Sequence, residues 1–174
     1  KRNDEILSKK LPYKRDLTEI TGFDNLNDPK GIFLDMQEKI ANLYKVNDAL
    51  ISTNGSTCGI LASMRTLAKN NKNILVGRNS HKAVYNAIEL FSLDADFVKS
   101  KLNKNGIIFD IDYQDLEKKL KEKQYSFLLL TSPTYEGYFL DLDKIHKLCK
   151  KYKTYLICDM AHGSHLPLFN DYKK

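Results

Sequence analysis

Apolar positions along the chain follow two patterns. Runs such as "NILVG", "SFLLLT" and "YLICD" are apolar at consecutive positions, as strands buried on both faces should be. Between them lie longer stretches with apolar residues three and four apart, the period of an amphipathic helix. "NDPKGIFLDMQEKIANLYKV" is predicted as a helix with Ile32, Phe33, Met36, Ile40 and Leu43 on one face. Asp28 is its expected cap, and Pro29 suits its first turn. A strand "ALIST" is expected next, then a helix "STCGILASMRTLAK", the strand "NILVG" and a helix "HKAVYNAIELF". "DFVKS" reads as a strand, and "DYQDLEKKLKEK" as a helix capped by Asp112. "SFLLLT", the helix "DLDKIHKLCKKY" and "YLICD" complete the series. The stretch "LNKNGIIFDI" around Gly106 reads as a loop, and residues 1–27 as an arm outside the alternation.

Strands alternating with helices imply a mostly parallel sheet covered on both faces, a three-layer αβα fold. In such sheets ligands bind at the carboxyl ends of the strands. Four segments occupy those ends: Thr53–Thr57, Gly77–His81, Thr131–Tyr135 and Asp159–His162. They hold nearly every residue suited to chemistry.

Composition narrows the classes. The 174 residues are 42% hydrophobic and 29% charged, as in one ordinary globular domain. The net charge of +6 comes from 28 Lys+Arg against 22 Asp+Glu, with lysine scattered over helices such as "KKLKEK". That is a solvated surface, without the aromatic and arginine interleaving of a nucleic-acid binder. Three cysteines, Cys58, Cys149 and Cys158, point to free thiols in a reducing compartment. No run approaches a membrane span, and no signal peptide is visible at the start, so a cytosolic location is expected.

The strand-end residues admit several chemistries. "STNGSTCG" places Gly55, Ser56 and Thr57 where a strand meets a helix, an arrangement that can hold phosphate or simply cap the helix. His81 opens the next helix as a cap or a ligand contact. "TSPTYEG" is a turn shaped by Pro133 and Gly137, with Tyr135 able to reach a ligand. In "YLICDMAHGSH" a carboxylate ends an apolar strand, a costly placement unless it meets a cation or several donors. Asp159 can cap a turn, join His162 and His165 in a metal site of hydrolase type, or pair with a protonated heterocyclic nitrogen.

Together, "DLTEITGFDNL", "STNGSTCGILA", "VGRNSHKAVYNAIEL", "LLLTSPTYEGYFLDLDKI" and "ICDMAHGSHL" resemble the Orn/Lys/Arg decarboxylase family of fold-type-I pyridoxal-phosphate (PLP) enzymes. The resemblance runs from Asp16 onward. It implies an aspartate-aminotransferase-like large domain, PLP as cofactor, a homodimer, and decarboxylation of lysine, ornithine or arginine to a diamine or polyamine and CO2. It implies that Asp159 pairs with the cofactor's pyridinium nitrogen and that His81 stacks on the ring opposite Ala161. Gly55, Ser56 and Thr57 would hold the phosphate. Thr131 or Ser132 would contact the ring hydroxyl side, and His162 would support the site rather than bind metal. The resemblance also places the lysine that attaches the cofactor in a later segment with no counterpart here. Lys173 and Lys174 stand in another context, and Lys82 only follows His81. The chain is therefore expected to be the first part of the large domain and, alone, inactive. The nearest rival on the same scaffold is an aminotransferase or a lyase; a non-catalytic fragment is another.

Overall fold

The computed structural model describes residues 22–169. The expected arm therefore lies largely outside the described residues. The chain divides into two compact units, Lys1–Ile51 and Ser52–Lys174.

The first unit contains helix α1, Ile32–Tyr44. Its cap differs from the expected one. Asp28 makes a surface ion pair with Lys30 instead, and Asp24 does the capping. The Asp24 carboxylate accepts from the backbone N–H of Lys30, Gly31 and Phe33 at 2.9, 3.1 and 2.8 Å. Those donors, Lys30 foremost, hold the Asp24 carboxyl below its ordinary pKa. The helix closes on Lys45 in the left-handed conformation, whose N–H reaches back to the last turn. The expected strand "ALIST" does not form: Ala49–Thr53 is irregular, Leu50 is 88% exposed, and the boundary between the units falls within the segment.

In the second unit, the elements are α2 (Gly55–Leu67), β1 (Asn73–Gly77), α3 (Lys82–Leu90), β2 (Asp94–Val98), β3 (Ser100–Leu102), β4 (Ile108–Ile111), α4 (Tyr113–Glu122), β5 (Phe127–Thr131), α5 (Leu142–Lys151) and β6 (Tyr155–Asp159). A 3-10 turn spans Leu166–Leu168. Four strands form a parallel sheet in the order β2-β1-β5-β6. Strands β3 and β4 pair antiparallel as a separate hairpin. The segment around Gly106, expected as a loop, thus contains a strand. Gly106, at φ +78, makes the turn possible, and the Asn103 side chain accepts from the N–H of Asn105 and Ile107 across it.

Alternate residues of the central strands feed two cores. Ile74, Val76, Phe127 and Leu129 pack with Ile60 and Met64 of α2 and Ala83, Val84 and Ala87 of α3. Leu75, Leu128 and Leu130 pack with Leu116 and Leu120 of α4 and Ile145 and Cys149 of α5. These are the three layers expected of the αβα fold. All five residues of β5 are buried. In β6 Tyr155 is exposed and the other four residues are only half-buried, because β5 is its one sheet neighbour among the described residues. Helix ends follow the sequence signals in this unit. Asp112 accepts from the N–H of Gln114 and Asp115, and Asp141 from that of Lys144.

Candidate functional site

Because all four strands run the same way, their carboxyl ends share one edge of the sheet. Gly77 pairs with Val98, and Thr131 pairs with Asp159. Helix α2 precedes β1 and packs Ile60 and Met64 against one face of the sheet. The topology gathers the segments that follow β1, β5 and β6 on one side.

Gly55 begins α2 at φ +69, a conformation that suits glycine, and no neighbour stands within 4 Å of where a Cβ would be. The N-cap Asn54 makes no side-chain capping bond. Gly55, Ser56 and Thr57 are all exposed in the first turn, where backbone N–H groups have no intrahelical partner. His81 is the N-cap of α3: its Nδ1 accepts from the N–H of Ala83 at 3.2 Å, leaving the imidazole exposed. Below it, the Ser80 hydroxyl donates to the carbonyl of Gly77, and the Tyr85 hydroxyl to that of Arg78. The turn after β1 is thereby fixed.

The segment after β5 is buried. Thr131 is 7% exposed and Ser132 2%. Their hydroxyls have different duties. The Ser132 Oγ accepts from the N–H of Leu140 at 3.1 Å and braces the loop. The Thr131 Oγ1 is buried with no hydrogen-bond partner among the described residues. Leaving such a group unpaired costs about 1–3 kcal/mol. The Ser132–Pro133 peptide is cis. Thr134 closes the turn by bonding Tyr138 through both its backbone and its hydroxyl.

Asp159 ends β6 half-buried. One carboxylate oxygen, Oδ1, accepts from the N–H of Ala161 at 3.1 Å, which folds the loop back over the strand end. The Asp159 carbonyl accepts from the N–H of Ser132 at 3.1 Å, and the Cys158 thiol lies 3.8 Å from the Ser132 carbonyl. Burial pushes the Cys158 thiol up to about 11, and the Asp159 carboxylate adds to the effect, so it stays a protonated donor. Ala161 and His162 are exposed.

The two histidines of this loop pack on separate aromatic rings. His162 packs edge-on against Tyr135 at 5.4 Å, and His165 against Phe169 at 6.0 Å. Among the described residues no three His, Cys, Asp or Glu side chains converge as ligands. The tight turns that follow β6 separate residues that a helix would have aligned.

Gly163 carries no signal that periodicity or capping chemistry would pick out. It is buried, and a Cβ there would lie 2.4 Å from Pro133 Cδ. Two cavities, of about 620 Å³ against α4 and α5 and about 580 Å³ against α5 and β6, are lined by none of the strand-end residues. No helix among the described residues is long and apolar enough to cross a membrane.

Comparison with known proteins agrees with this geometry. The chain is 31% identical over 153 residues to an arginine decarboxylase from Bacillus cereus, covering 87% of this chain and 33% of that protein. It spans about a third of the length of the curated relatives it matches. In fold it is similar to a histidinol-phosphate aminotransferase from Clostridium acetobutylicum (TM-score 0.58, 22% identity, 80% of this chain and 39% of that one). It is also similar to a PLP-bound C-S lyase from Staphylococcus hominis (TM-score 0.58, 14% identity, 85% and 39%). The sheet and its flanking helices are thus an incomplete aspartate-aminotransferase-like αβα domain. The profile of the Orn/Lys/Arg decarboxylase major domain matches residues 11–173, and the chain belongs to that family.

Proposed function

We propose that this chain forms the first part of the cofactor domain of a PLP-dependent decarboxylase acting on a basic amino acid. The observation that carries the reading is the Asp159 carboxylate at the end of β6, in register with a buried, unpartnered Thr131 hydroxyl. When bound, PLP supplies an electron-accepting ring that takes up the charge left as a carboxylate departs.

The residues present fit that group. The half-buried Asp159, oriented by the Ala161 N–H, offers a fixed anion to a protonated ring nitrogen. Thr131 offers a hydroxyl already desolvated, whereas Ser132 is committed to Leu140. The capping bond to Ala83 fixes the His81 imidazole, leaving a flat, exposed face for an aromatic ring. The exposed first turn of α2 offers free N–H groups and the Ser56 and Thr57 hydroxyls to a phosphate. Ala161 keeps its side of the site open by its size, and His162, held against Tyr135, lines the same loop.

The substrate class rests on the family and on the name of the Bacillus cereus relative. A second copy of the parent chain and the lysine that anchors the cofactor belong to the same reading. The test is CO2 release by the full-length source protein from arginine, lysine and ornithine, with and without Asp159→Asn. Release from one of the three that falls at least about a hundredfold in the variant is the expected result. Transamination with no CO2 release would overturn the reaction type.

A further inference from the structure

We propose that Gly163 is a positioning residue: its missing side chain lets the loop after β6 close on Pro133, and that contact sets Asp159 and Ala161 beside Thr131. The inference rests on the reading of Asp159 as the cofactor's partner. The backbone of Gly163 is not in the left-handed region, so conformational freedom is not the reason for a glycine. The reason is space. An added Cβ would stand 2.4 Å from Pro133 Cδ, 2.9 Å from Pro133 Cγ and 2.9 Å from Leu166 Cδ1. Leu166 can swing a methyl aside, but the two proline atoms belong to a rigid ring.

Pro133 directly follows the buried Thr131–Ser132 pair. The stretch from Cys158 to Gly163 meets that segment three times. Ser132 donates its N–H to the Asp159 carbonyl, the Cys158 thiol faces the Ser132 carbonyl, and Gly163 lies against the Pro133 ring. Within the loop, the N–H of Ala161 holds the Asp159 carboxylate and the N–H of Gly163 bonds Met160. The first two contacts lie at the strand end. The third, four residues on, is the only one of them that depends on a side chain being absent. A methyl at position 163 forces the far side of the loop away from Pro133, which pulls Ala161 from the Asp159 carboxylate.

A size exchange tests this. Gly163→Ala introduces a clash, Pro133→Ala leaves a gap, and the double variant puts a methyl where the ring atoms were. Two readouts apply to each form: amide hydrogen exchange, and PLP affinity by equilibrium dialysis. Each single change should raise exchange at the Ser132 and Ala161 amides by about tenfold or more, leaving Val76 and Leu129 protected. The double variant should recover most of the protection, a coupling that independent sites do not show. PLP affinity should fall and recover in parallel.

Exchange that rises uniformly, does not change, or is not rescued overturns the proposal. Loosening and rescue with unchanged PLP affinity also overturns it, because Gly163 would then be structural only. All forms are made in the full-length source protein, and absence of PLP binding by its unsubstituted form defeats the functional reading itself, visibly apart from the loop coupling. If Gly163→Ala does not fold, Pro133→Ala alone decides: local loosening supports the contact and an unchanged loop refutes it.

Discussion

Asp94 and Asp96 share one ammonium: Lys123 Nζ lies 2.9 Å from the first and 3.0 Å from the second. The Tyr125 hydroxyl donates to Asp96 at 2.8 Å. Partial burial raises the Asp96 pKa, but its bonds to Lys123 and Tyr125 together outweigh that, and the carboxyl sits below its ordinary value. The two carboxylates hold Lys123 above its own. The signs give a window. The contribution of a depressed carboxyl is present above its unfolded pKa and is lost as pH falls through the folded one. That of a raised lysine is present below its unfolded pKa and is lost as pH rises through the folded one. Lys123→Ala should therefore lower Tm between about pH 5 and 9, and its deficit relative to the parent should shrink below about pH 4. A deficit that does not change with pH would show that the network carries no such linkage. At the same scale, Asp159 illustrates what residue identity cannot give. The chemistry of its carboxylate was legible, but its choice of partner was not. Cap, metal ligand and heterocycle partner share one side chain. In the fold the carboxylate caps its own turn through the Ala161 N–H, while His162 and His165 pack on separate rings.

At the scale of elements, legibility followed burial. Strand β5 and its neighbour β1 were plain because a strand covered on both faces must be apolar at every position. Helix α4 was plain because Asp112 marks its start. The failures have a common physical cause. "ALIST" has the composition of a strand but no ladder, since strand propensity reports packing rather than backbone preference. The hairpin of β3 and β4 hid behind the turn residues that make it. Asp24 caps α1 from nine residues before Phe33, beyond the local spacing that sequence signals cover. Gly163 was legible as a glycine but not as a contact, because its partner Pro133 lies thirty positions away in the chain. The layered packing makes its own test. Leu129 lies in the core beneath α2 and α3, and Leu128 in the core beneath α4 and α5; both are fully buried. Truncating either to alanine should cost about 2–5 kcal/mol in denaturant unfolding. A cost well below 1 kcal/mol at either position would contradict a sheet covered on both faces.

For the molecule as a whole, the parallel sheet sets one direction for every strand, and that direction collects the chemistry. His81 follows β1, and Thr131 and Asp159 end β5 and β6 in register, so residues far apart in the chain share one edge of the sheet. The chain belongs to the Orn/Lys/Arg decarboxylase family, and PLP binding at this edge is the proposal that membership supports. The measurement that tests this most directly is a PLP titration of the full-length source protein by equilibrium dialysis, run alongside Asp159→Asn and Lys147→Ala. Lys147 lines the cavity against α4 and α5 and serves as the control. Saturable binding is expected, weakened by about tenfold or more in Asp159→Asn, the loss of one charge-assisted bond, and unchanged in Lys147→Ala. No saturable binding, or binding indifferent to Asp159, would contradict the account.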